Sequence, residues 1–173
     1  GRLPKASNIQ LHPYFSAYLF KILSIFDRDI SLMRAIFLMP VILIGLSLIP
    51  TFFIGRRIAG NVGGFFAAFF LAVNGALLGR TPGGFADTDP YNILFPLLIA
   101  WMFIESYYAK TTNRKIIYAM ISGLGVGLYA GTWTGWSTIF LFVILTLIAL
   151  IVIDIIKKII EDKKLDLKKV GSY

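Results

Sequence analysis

Gly79-Arg80-Thr81-Pro82-Gly83-Gly84-Phe85-Ala86-Asp87-Thr88-Asp89-Pro90-Tyr91-Asn92 is a polar, acid-bearing loop set between long apolar segments. Its reading decides the fold, because the segments on both sides are long enough to cross a hydrocarbon core of roughly 30 Å at about 1.5 Å per residue. The rest of the chain reads as a scaffold for it.

Working outward, the chain organises as an external segment 1–30, a transmembrane bundle 31–156 and a basic cytoplasmic segment 157–173. Ahead of the loop lie a span over 31–55, kinked by Pro40 and Pro50 and closed by Arg56-Arg57, and a second over 62–78. The Gly60 to Gly64 pair that opens the second has the small-xxx-small spacing that lets helix backbones approach closely. After the loop come spans over 90–108, 116–132 and 138–156. The expected fold class is therefore an all-α integral membrane protein, a multi-span helical bundle of about five transmembrane helices. In the first 30 residues, apolar positions between Pro13 and Phe26 recur at spacings of three and four, which predicts a short amphipathic interfacial helix. His12, just before Pro13, reads as a loop or capping residue.

Composition agrees with a lipid solvent. Of the 173 residues, 57% are hydrophobic and only 15% charged, and the mean hydropathy is +0.77. The absence of cysteine removes disulfides, thiolate nucleophiles and cysteine zinc sites. A net charge of +8 is explained by retention of basic residues on the cytoplasmic side, not by nucleic acid. Placing Arg56-Arg57, the Lys110–Lys115 turn and the terminal lysines together puts 11 of the 17 basic residues on one side. If that side is cytoplasmic, the 79–90 loop and the turn Gly131-Thr132-Trp133-Thr134-Gly135-Trp136 face the other way. The chain opens Gly1-Arg2-Leu3-Pro4 with no initiator Met or signal-peptide pattern, so it is expected to be a piece of a longer protein.

Chemistry concentrates in the loop. Asp87 and Asp89 stand two apart beside Pro90, which holds its neighbour extended, so both carboxylates can reach one point. Two hard oxygens so placed suit Mn²⁺ or Mg²⁺ with further ligands from elsewhere. Equally, Asp89 before Pro90 reads as a helix N-cap, which leaves Asp87 unexplained. Arg80 is either a partner for an anionic group at the membrane surface or an interfacial anchor. Trp133 and Trp136 fit the interfacial enrichment of indoles or the wall of an external site. Gly123, Gly127, Gly131 and Gly135 make a small-residue ridge for helix packing. Asn74 and Glu105 are polar groups inside spans, Glu105 near enough to the cytoplasmic end to reach water. Asp154 has Lys157 and Lys158 at i+3 and i+4 for an intrahelical pair. No Ser-His-Asp set, Walker loop or dinucleotide fingerprint is present.

The run from Arg80 to Asp89 resembles the second acidic motif of the oligosaccharyltransferase catalytic subunit family, in its archaeal and bacterial single-subunit form. There an arginine stands seven residues ahead of a D-x-D, D-x-E or D-x-H. The likeness continues through Asn92-Ile-Leu-Phe-Pro-Leu-Leu and at Gly131-Thr-Trp-Thr-Gly-Trp136. The resemblance implies a polyprenyl-phosphate-dependent (GT-C-type) membrane glycosyltransferase. Such an enzyme moves an oligosaccharide from a polyprenyl or dolichyl phosphate or diphosphate to the asparagine of Asn-x-Ser/Thr in an acceptor polypeptide. It further implies that Asp87 and Asp89 bind the divalent cation, Mn²⁺ or Mg²⁺, with Arg80 near the anionic substrate or the carboxylates. The family's other metal-binding aspartate, its catalytic glutamate and its W-W-D-Y-G sequence are not among these residues, so the isolated 173 residues are expected to be inactive. Competing readings are another polyprenyl-phosphate-sugar transferase, a transporter or channel subunit, and a structural membrane subunit.

Overall fold

A computed structural model describes residues 11–80, 84 and 88–170, with backbone alone for Arg80 and for 162–170. Every element among the described residues is helical. The chain divides into two compact units, 1–137 and 138–173.

In the first unit, α1 runs His12–Phe26, α2 Leu32–Ala72, α3 Gly75–Arg80, α4 Tyr91–Tyr108 and α5 Thr112–Ala130. The start of α2 is capped by Ser31, whose side chain accepts from the Arg34 N–H. Pro13 stands in the first turn of α1, where its missing N–H costs nothing. The amphipathic pattern expected of α1 is only partly realised. His12, Phe15, Ser16 and Leu19 turn inward, but the outer face, with Tyr14, Tyr18, Ile22 and Ile25, is also apolar or aromatic.

Two arms make up α2. Ala59 (φ −134°) and Gly60 (φ +69°, ψ −168°) leave helical geometry, and only glycine adopts the second pair of angles freely. The arms 32–58 and 61–72 fold back on each other: a Cβ built on Gly64 would lie 2.7 Å from the Phe52 carbonyl oxygen. In an unbroken helix those residues would stand roughly 18 Å apart. The break falls where Arg56-Arg57 separates two apolar runs. The stretch 62–78 is itself interrupted at Val73–Asn74. Asn74 Oδ1 accepts from the Leu77 N–H at 3.0 Å and so opens α3, a structural use for this polar residue inside an apolar stretch.

The central helix is α4, packed on α5 and on α2, while α1 lies on α2. Its inward residues Tyr91, Phe95, Ile99 and Met102 recur at three and four and meet Ala35, Met39 and Leu43 of α2 and Tyr129 of α5 in one core. The glycine ridge does not carry this packing. A methyl group added at Gly123 or Gly127 would meet nothing within 4 Å, whereas one added at Gly125 would lie 3.0 Å from Ile99, and Ser122 donates to the Ile99 carbonyl. The helix turns its 122/125/129 face inward because that face carries the larger anchor, Tyr129.

The second unit is made by α6, Trp136–Val170, described from residue 138 onward by itself. Its 35 residues extend over roughly 52 Å. Asp154 forms no ion pair with Lys157 or Lys158 among the described residues; exposed helical pairs of this kind contribute too little to order two side chains. By length and composition, 32–79 and 136–161 are apolar enough to cross a membrane.

Candidate functional site

One end of the first unit gathers the start of α1, the start of α2, the start of α4 and the end of α5. Main-chain bonds do much of the gathering. The Leu11 N–H donates to the Gly131 carbonyl at 2.7 Å, and the Gly84 N–H, inside the acidic loop, donates to the Phe37 carbonyl at 3.2 Å.

Side chains complete the cluster. Tyr91, buried, donates to Met39 Sδ at 3.5 Å, and Ser16 Oγ reaches the same sulfur at 3.4 Å. The Tyr91 hydroxyl also stands 3.3 Å from His12 Nδ1, as donor or acceptor according to the imidazole tautomer. Tyr129 donates to Asn92 Oδ1 at 3.1 Å, and its ring stacks against Trp133 at 6.0 Å between centroids. Phe15, Tyr91, Phe95 and Tyr129 form a continuous run of ring contacts beneath.

Asp89 stands at the rim of this cluster. The turn into α4 is closed by main chain: the Tyr91 N–H donates to the Thr88 carbonyl and the Asn92 N–H to the Asp89 carbonyl. Pro90, in helical conformation, occupies the cap position, and no side chain caps the helix. The half-exposed Asp89 carboxylate therefore accepts no capping bond and has no ion pair among the described residues. As a hard, unused oxygen donor it fits a divalent cation, but only as part of a ligand set. Among the described residues no three His, Cys, Asp or Glu side chains converge. Asp87 and the Arg80 side chain lie outside the described residues; the Arg80 backbone ends α3. Trp133 is joined to the α4 start through Tyr129 and Asn92, and Trp136 opens α6.

The Tyr91–Met39–Ser16 node and the Asn92–Tyr129 bond were not anticipated from sequence. Their signal was available as hydroxyl and amide tips inside otherwise apolar runs, which need partners once buried.

Residues 9–165 match the family described as Oligosaccharyl transferase STT3, N-terminal. The chain belongs to that family. Curated relatives named dolichyl-phosphooligosaccharide-protein glycotransferase agree. The one from Methanococcus voltae is 33% identical over 124 residues, 70% of this chain, and that from Methanocaldococcus jannaschii is 33% identical over 126 residues, 65% of this chain. A relative from Pyrococcus furiosus, with the same name and the number 1, is 31% identical over 69% of the chain. This STT3-family chain spans 14% of the length of the two methanogen relatives. No solved structure matches it. Family membership together with the two long apolar stretches marks a membrane protein.

Proposed function

We propose that this chain is the part of an oligosaccharyltransferase that presents the acidic loop to a lipid-linked oligosaccharide. The full protein would transfer the glycan from a dolichyl or polyprenyl phosphate or diphosphate to the asparagine of Asn-x-Ser/Thr in a polypeptide. The observation that carries the reading is the Asp89 carboxylate, fixed at the start of α4 and used neither as a cap nor in an ion pair among the described residues. The names of the archaeal relatives supply the reaction class.

In this reading Asp87 and Asp89 are two ligands of a Mn²⁺ or Mg²⁺ ion. That ion, when bound, would act as a Lewis acid and neutralise charge on the departing phosphate. Arg80, at the end of α3 and on the same loop, would meet the anionic carrier through charge-assisted bonds. Trp133 would line the site through its tie to α4. The bundle would follow the polyprenyl-phosphate-dependent (GT-C-type) plan: the first arm of α2, its second arm together with α3, then α4, α5 and α6 would make five spans, with the acidic loop on the non-cytoplasmic side, opposite to Arg56-Arg57.

The test is Asp87→Ala in the full-length protein. Mn²⁺-dependent glycopeptide formation is expected to vanish while the melting profile stays that of wild type. Wild-type turnover in this variant would sink the metal role of the loop.

A further inference from the structure

The other end of the bundle carries a second polar arrangement. About 19 residues along α2 from Phe37, roughly 28 Å by helical rise, Phe53, Arg56, Arg57, Trp101, Glu105 and Tyr118 line a cleft of about 460 Å³ between α2, α4 and α5. Arg57 is committed: it lies 4.0 Å from the Glu105 carboxylate and 4.6 Å over the Tyr108 ring. Arg56 has no ion pair among the described residues. Two guanidiniums against one carboxylate leave the cleft with one net positive charge.

The ring of Trp101 stacks on Phe53 at 4.7 Å, nearly parallel, and the two form an aromatic wall of the cleft, with the indole N–H buried away from it. Next to the cleft, sharing Arg57, runs a mainly apolar groove of about 650 Å³ lined by Ile54, Ile58, Ile104 and Tyr108. A single positive charge beside an apolar groove matches one chemical class: an amphiphile with an anionic head and hydrocarbon chains.

We propose that this cleft holds the phosphate of an anionic glycerophospholipid, with Arg56 as its cation, and that an acyl or isoprenoid chain lies along Ile54, Ile58 and Ile104. Basic pockets between membrane helices take lipid headgroups by this combination. Glu105, neutralised by Arg57, keeps the charge low enough for one phosphate and holds the groove open beside it. The inference rests on the membrane placement of the chain and not on the transferase reading.

The test uses the delipidated full-length protein and native mass spectrometry. Three probes are added: dioleoylphosphatidylglycerol, dioleoylglycerol as the matched lipid without phosphate, and inorganic phosphate as competitor. Phosphatidylglycerol is expected to bind, dioleoylglycerol to bind at least tenfold more weakly, and phosphate not to compete. Arg56→Gln should weaken phosphatidylglycerol about tenfold, in line with loss of a charge-assisted bond. Equal binding of the two lipids, full competition by phosphate, or unchanged binding in Arg56→Gln overturns the assignment. Glycopeptide formation measured on the same samples should be independent of Arg56→Gln, so loss of the lipid site and loss of the transferase reading give separate signals.

Discussion

At the scale of single residues, Asp89 separates two explanations that spacing alone leaves equal. A carboxylate that caps a helix contributes about 1 kcal/mol, so its removal lowers stability. Here Pro90 holds the cap position and the turn is closed by main chain, so Asp89→Ala in the full-length protein should shift stability by less than about 0.5 kcal/mol. In the same variant glycopeptide formation should fall sharply. Thermal melting in detergent and a turnover assay read the two effects, and a large drop in melting with full activity would restore the capping role. Tyr129 has the opposite profile. Tyr129→Phe deletes the donor to Asn92 but none of the buried ring, and should cost about 1 kcal/mol, read as a lowered melting temperature.

At the scale of elements, the hairpin within α2 depends on glycine where two backbones meet. A methyl on Gly64 would press on a carbonyl that belongs to the opposite arm and cannot swing away. Gly64→Ala is expected to destabilise by about 1–3 kcal/mol, as overpacking of a close contact does. Gly45→Ala, with nothing within 4 Å, should be neutral or slightly stabilising in the same melting measurement. Much of the helical plan was legible in sequence because charge and proline punctuate long apolar runs: Arg56-Arg57 marks the α2 turn and Pro90 the start of α4. The break at Asn74 was not, because a lone amide in an apolar run looks alike whether it starts a helix or sits in one. Which face of α5 packs was hidden for a related reason. A helix apolar on all sides carries little periodic signal, so a glycine spacing of four was more visible than the Ser122, Gly125 and Tyr129 face that makes contact. The Arg57–Glu105 pair joins two helices, and no local pattern announces such a partner.

At the scale of the whole molecule, the proposed topology makes a prediction suited to this cysteine-free chain. Single cysteines at Thr134, exposed in the turn placed on the same side as the acidic loop, and at Lys110, in a full-length background without other accessible thiols, should react with a membrane-impermeant maleimide from opposite sides of a sealed vesicle. Labelling of both from one side would refute the proposed orientation. The acidic loop is also tied to the bundle in a way that bears on how freely its chemistry can vary. Its bond to α2, from the Gly84 N–H to the Phe37 carbonyl, and the neighbouring bond from Leu11 to Gly131 use only main-chain atoms. Side chains can therefore change at Leu11 without removing this attachment, and proline alone is barred there for want of an N–H, whereas at Gly84, with φ +104°, any side chain is strained. A saturation mutagenesis map should show proline as the most depleted substitution at Leu11, a signature of anchorage that stays separate from any effect on ligand choice.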